Sequence, residues 1–125
     1  MAVVLNTIHD GPKNHVVHIG IAGANSDAVV VDASAINATS NPVTNLRLMR
    51  AEWGLDSAAG ESALLEWDAD TDVTLFEFPE GEGEHDFTAI GGIPNPGGTG
   101  STGDVLLTNA IGLANGSLVL YFKKS

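Results

Sequence analysis

Apolar and polar positions alternate every second residue along much of this chain. Between residues 15 and 21, Val17, Ile19 and Ile21 share one side while Val16, His18 and Gly20 share the other, the period of a half-buried strand. Residues 3–9 form a matching segment, and Asp10-Gly11-Pro12-Lys13 between the two is a turn, because Asp and Gly accept left-handed backbone and Pro presets φ. A β-hairpin is the expectation. A second turn, 23–27, leads into a strand at 28–32, and the small, polar stretch 34–44 with Asn41-Pro42 reads as a connection crossing between sheets. The strand at 45–53 is mixed: Arg47, Met49, Ala51 and Trp53 fall on one side, Leu46, Leu48, Arg50 and Glu52 on the other. Either a β-bulge or cover by a neighbouring subunit accounts for that.

Further strands are expected at 62–68, 73–78, 105–108 and 117–124. A short helix competes over 57–67, where Ala, Leu and Glu are frequent, but Gly60 interrupts it. In the last strand Leu118, Leu120 and Phe122 oppose Val119 and Tyr121, so both faces are apolar and the strand belongs centrally in a sandwich or against a partner. The stretches 79–84 (Gly and Glu) and 90–103 (Gly, Pro, Thr and Ser) read as loops. About eight short strands, without a repeat period of ~20–50 residues, predict one all-β domain over residues 1–125. Its architecture should be an antiparallel β-sandwich, jelly-roll-like, with long Gly-rich loops.

Charge narrows the possible partners. Five Lys and Arg face sixteen Asp and Glu, a formal net charge of −11. Nucleic acid and anionic membrane are poor partners for such a chain, since phosphate binding draws on clustered cations and here Lys13, Arg47, Arg50, Lys123 and Lys124 are scattered. No apolar run approaches the roughly 18–20 residues of a membrane helix, and the N-terminal segment does not read as a secretory signal. The absence of cysteine removes disulfides and thiolate sites. Twelve acidic residues and no Lys or Arg lie between Glu52 and Asp86, so the excess charge is concentrated.

Three constellations contain reactive side chains. His15 and His18 could share a metal on a helix but face opposite ways on a strand; His9 could approach across the hairpin, but zinc needs three or four converging ligands, and polar residues at a surface or interface are the favoured reading. Asp68, Asp70 and Asp72 reproduce the opening of a calcium loop, yet Val73 and Pro79 stand where that loop needs Gly and a bidentate Glu. A turn in which Asp caps its own backbone is favoured, with calcium bridging to a neighbour left open. Glu80, Glu82, Glu84, His85 and Asp86 could supply acid and base, but glycine spacing holds none of them in one geometry. Neither a catalytic residue nor a metal or cofactor is expected. Trp53 and Trp67 are expected in the core, with a sugar platform as the competing reading.

The order of the motifs adds a resemblance. Asp10-Gly11-Pro12 after a first strand, Leu65-Glu66-Trp67-Asp68-Ala69 with Asp72, Phe87 through Gly91-Gly92, Thr102-Gly103-Asp104-Val105-Leu106-Leu107 and a final Tyr121-Phe122-Lys123-Lys124 resemble small virion structural proteins of tailed bacteriophages. That resemblance spans almost the whole chain and implies a β-rich protein on the outer capsid surface, decorating or cementing the head against the major capsid protein. It implies no catalytic residues. Homo-oligomerisation is expected, a trimer being favoured, with Leu118, Val119, Leu120, Tyr121, Phe122, Arg47 and Arg50 as the candidate interface. A tail, head-tail adaptor or fibre-attachment component and a carbohydrate-binding sandwich module are the alternatives.

Overall fold

The computed structural model describes residues 2–11, 13–23, 25–33, 46–57, 62–97, 99–109 and 113–124. Ten strands are present among them: β1 (Ala2–Asp10), β2 (Asn14–Ala22), β3 (Asn25–Val31), β4 (Leu46–Ser57), β5 (Ala63–Trp67), β6 (Val73–Phe78), β7 (Gly81–Asp86), β8 (Ile93–Pro94), β9 (Val105–Asn109) and β10 (Leu113–Lys124). They form two antiparallel sheets, consistent with the expected sandwich. One has the order β1-β2-β10-β4-β7, with β8 also paired to β4; the other is β3-β9-β5-β6.

The hairpin forms as its alternation dictates. β1 pairs with β2, and Val17, Ile19 and Ile21 turn inward while Val16, His18 and Gly20 stay half-buried on the opposite face. Gly11 closes the turn, its N–H donating to the Asn14 carbonyl at 3.0 Å. β10 then lies between β2 and β4. That central place accounts for its two apolar faces: Leu118, Leu120 and Phe122 enter the core, and Val119 and Tyr121 sit half-buried outside.

The mixed pattern of β4 comes from a bulge. Tyr121 lies opposite Arg50 but Phe122 lies opposite Leu48, so Met49 is an extra residue and the alternation changes phase there. Leu46 and Leu48 point inward before it, and Ala51 and Leu55 after it. Across the sandwich they meet Leu65 and Trp67 of β5, Leu107 of β9 and Phe78 of β6 in one apolar cluster. Trp67 packs edge-on against Phe122, with centroids 6.4 Å apart. Trp53 leans on Phe76 and Phe78, at 5.8 and 5.3 Å.

Two expectations change. Residues 79–84 were expected as a loop, but Gly81–Asp86 is a strand, held by its backbone to β4 from Arg50 to Leu55. Its Gly-Glu alternation has little strand propensity; pairing with a long neighbour overrides it. A Cβ on Gly83 would lie within 2.5 Å of the Trp53 ring, so only glycine lets the indole lie across this strand. The expected loop at 90–103 begins in a 3-10 turn, Thr88–Ile90, and includes β8. The predicted crossing at 34–44 lies outside the described residues, as does most of the part of the competing helix that precedes β5.

Candidate functional site

The outer face of the six-stranded sheet holds the exposed part of the candidate interface. Arg50 reaches across β4 to β7, its Nη2 lying 2.6 Å from Glu84 Oε2 and 3.5 Å from Glu52 Oε2. The Tyr121 hydroxyl donates to Glu52 Oε1 at 3.0 Å, and the guanidinium carbon sits 5.9 Å from the Tyr121 ring centre. Glu84 and then Glu52 raise the pKa of Arg50; the hydrogen bond to Glu52 raises that of Tyr121. Arg47 is half-buried nearby. Of the residues singled out, Val119, Tyr121, Arg47 and Arg50 therefore share this side, whereas Leu118, Leu120 and Phe122 are 0–1% exposed and their apolar character serves the core.

Beside this network the sheet is hollowed. Gly54 and Ser117 floor a shallow trough of about 550 Å³ edged by Glu52, Glu82 and Val119. It continues over Gly116 and Asp56 toward the end of β4. Acidic and open, the trough has the Ser117 hydroxyl beside its carboxylates and no imidazole among its described lining residues.

The segments around Asp68 and around Thr102 and Asp104 meet at one end of the smaller sheet. Thr102 donates its hydroxyl to Asp68 Oδ2 at 2.7 Å and its N–H to the Asp68 carbonyl at 3.2 Å. Asp68 N–H donates to the Asp104 carbonyl at 3.0 Å, and Asp104 Oδ1 accepts from Ala33 N–H at 2.8 Å. Burial is the main cause that raises the Asp104 pKa, the Ala33 contact opposing it. Asp70 N–H donates to the Thr99 carbonyl at 3.0 Å, and Asp72 Oδ1 caps Ala69 N–H at 3.1 Å. Asp72 thus caps its own turn, while Asp68 and the Asp70 N–H fasten the Gly-rich loop to the β5–β6 turn.

Asp72 also belongs to a group that the spacing concealed. Oxygen atoms of Asp27, Glu66 and Asp72 lie within 4.8 Å of one another on the four-stranded sheet. The Glu66 pKa is raised, first by burial and then by Asp72 and Asp27. Only the order β3-β9-β5 brings Asp27 to Glu66, and no local motif announces it.

The histidines separate as a strand requires. His15 is buried and His18 lies half-buried on the opposite face. His15 Nδ1 is 3.3 Å from Asp10 Oδ1, which also binds Lys124 Nζ at 2.5 Å; the same ammonium donates to the Gly11 carbonyl at 2.6 Å. Burial lowers the His15 pKa against the opposing pull of Asp10. β10 ends beside the β1–β2 turn, where Lys124 N–H donates to the Lys13 carbonyl at 2.7 Å, so residues from both ends of the chain meet. His85 packs beside Phe87 and Phe76, with centroids 4.7 and 5.9 Å apart. Trp67 is 1% exposed and belongs to the core, whereas Trp53 is half-buried and lines the trough.

No family model, curated protein or solved structure matches this chain. The arrangement itself offers interaction surfaces: a charged outer face, acidic margins, and loops fastened by their own hydrogen bonds.

Proposed function

We propose that this chain is a bacteriophage virion structural protein that binds the outer surface of the head, against the major capsid protein, and stabilises it as a homo-oligomer. The observation that carries this reading is the order of motifs along the chain, Asp10-Gly11-Pro12, Trp67-Asp68-Ala69, Thr102-Gly103-Asp104 and the Tyr121-Phe122 terminus. Physical support comes from their roles. Asp68, Thr102 and Asp104 hold long loops in place at one end of a sandwich, and fixed loops suit a protein that must fit a repeating shell.

Charge fits the outward side. A shell protein turned toward packaged genome would meet phosphate, which a net charge of −11 repels. The exposed Glu82, Glu84 and Asp86 on β7 give the six-stranded sheet an acidic margin suited to solvent. Arg50, beside Glu52 and Glu84, and Arg47, opposite Lys123, are the outer-face cations we assign to salt-sensitive contact with another subunit.

The reading is tested on purified particles. Gel densitometry combined with a cryo-EM map should find copies on the order of hundreds, in register with the shell lattice, because a symmetric shell repeats each surface site many times. A few to a dozen copies at the tail would transfer the protein to the adaptor or fibre-attachment reading. Absence from particles would refute both.

A further inference from the structure

The flank of the sandwich where β1 and β3 lie together differs from the rest of the surface. β1 is the outer strand of one sheet, β3 that of the other, and the two touch. Among the described residues, five large hydrophobic side chains are exposed, and four occupy these strands: Val4 at 65%, Leu5 at 47%, Ile8 at 57% and Val29 at 46%. Leu5 is informative because its partner across the hairpin, Ile19, is completely buried. Leu5 lines a cleft of about 180 Å³ with Thr7, Val17 and Val31, where the second sheet stops short of covering β1; Asp10, His15 and Asp32 line its other side, so the acid-free surface is the strand itself and not the cleft.

An exposed edge strand is an unpaired row of backbone donors and acceptors, and proteins that stay monomeric blunt it with Lys, Pro, charge or brevity. β1 is nine residues long and has no charged residue or Pro from Ala2 to Ile8. Its one irregularity is the bulge between Thr7 and His9, which leaves Ala2–Thr7 regular. The opposite margin, β7, carries exposed Glu82, Glu84 and Asp86.

We propose that β1 is a self-association edge: two copies of this chain pair antiparallel through Ala2–Thr7 about a twofold axis, extending the six-stranded sheet across both and covering Val4 and Leu5. Charge selects a second copy in this orientation. Two chains of −11 repel unless they meet where acid is absent, and the first acidic residue is Asp10. A head-to-tail ring would instead lay β1 against the acidic β7 and bring carboxylates into the seam. Asp27 and Asp32 on or beside β3 are exposed and flank Val29, so the seam centres on β1. Six paired residues span ~20 Å and the edge of a two-layer sandwich is ~20 Å deep, giving ~400 Å² per copy and ~800 Å² in total, the size of a weak, concentration-dependent contact.

This inference is independent of the virion reading, since it concerns the purified chain. In sedimentation equilibrium the mass should rise from the 12.9 kDa of one chain toward twice that value as concentration increases. Association should tighten as salt screens the like charges. Val4→Lys places two ammonium groups in the seam and should weaken association at least about tenfold. Ile90→Lys, at a residue 72% exposed but outside β1 and β3, should leave it unchanged. Circular dichroism and urea midpoints establish that both variants fold. Hydrogen exchange provides a second readout: outward amides of Ala2–Thr7 should gain protection as concentration rises. A monomeric wild type, a trimer, weakening by salt, or a dimer indifferent to Val4→Lys would overturn the proposal.

Discussion

Removing the ammonium of Lys124 tests how the two ends of the chain are joined. The Lys124 side chain is 4% exposed and its Nζ contacts Asp10 Oδ1 at 2.5 Å and the Gly11 carbonyl at 2.6 Å. Lys124→Met keeps most of the aliphatic stem and deletes the charge, leaving an anion and a carbonyl without that donor. Removing one member of a buried pair typically costs about 3–5 kcal/mol. The Asp10 side chain is 27% exposed and keeps His15 at 3.3 Å, so water and imidazole recover part of the loss. About 2–3 kcal/mol is therefore expected, or a fall of about 6–15 °C in Tm for a domain of this size. Urea unfolding followed by tryptophan fluorescence measures it. Asp10→Asn with Lys124→Met should cost less than the sum of the single changes, by about 1 kcal/mol or more, because the pair is lost only once. A single-variant loss under about 0.5 kcal/mol, or strict additivity, would refute the reasoning.

Other positions give separate tests. Gly83→Ala should destabilise by about 1–3 kcal/mol, since its Cβ would lie 2.5 Å from a Trp53 ring carbon; an unchanged urea midpoint and Trp53 emission would contradict the close approach. Burial depresses the His15 pKa, so the folded state holds imidazole neutral while the unfolded chain binds protons near the ordinary value of 6.5. His15 should therefore lose stability as pH falls below 6.5 toward its lower folded-state pKa, and His15→Gln should flatten that part of the stability-pH curve. Thr102→Val removes the hydroxyl on Asp68 at an exposed site and should cost about 1 kcal/mol, with faster hydrogen exchange across residues 99–104; unchanged exchange there would mean the loop is held by other contacts.

Legibility in the sequence followed the range of the interactions. β2 declares itself because Val17, Ile19 and Ile21 recur inward at every second position, with His15 the one polar inward residue, and the Asp-Gly-Pro turn fixes its partner. The two faces of β10 correctly suggested a central strand, but only the pairing with β2 and β4 assigns Leu118 and Leu120 to the core and Val119 to the outside. β4 showed a disturbed period; the extra Met49 that causes it became visible through the register of its partner. β7 gave no signal, since Glu and Gly form a strand there by borrowing the backbone of β4.

The candidate surfaces were less legible than the fold. Arg50 and Tyr121 stood out as a cation and an aromatic, yet their link through Glu52 and Glu84 depends on three neighbouring strands. Asp10 and Lys124, at opposite ends of the sequence, meet because β10 lies beside β2. Asp27 and Glu66 meet through the strand order of the smaller sheet. Exposure of Leu5 on the core-facing side of β1 depends on where the second sheet stops, which periodicity does not encode.

The central claim is that this sandwich occupies the outer surface of a phage head. Quantifying the chain in purified particles together with a cryo-EM map tests it most directly. The account predicts on the order of hundreds of copies, seated outside the shell in contact with the major capsid protein and following its symmetry. Density confined to the tail, density on the genome side of the shell, or particles lacking the chain would contradict it.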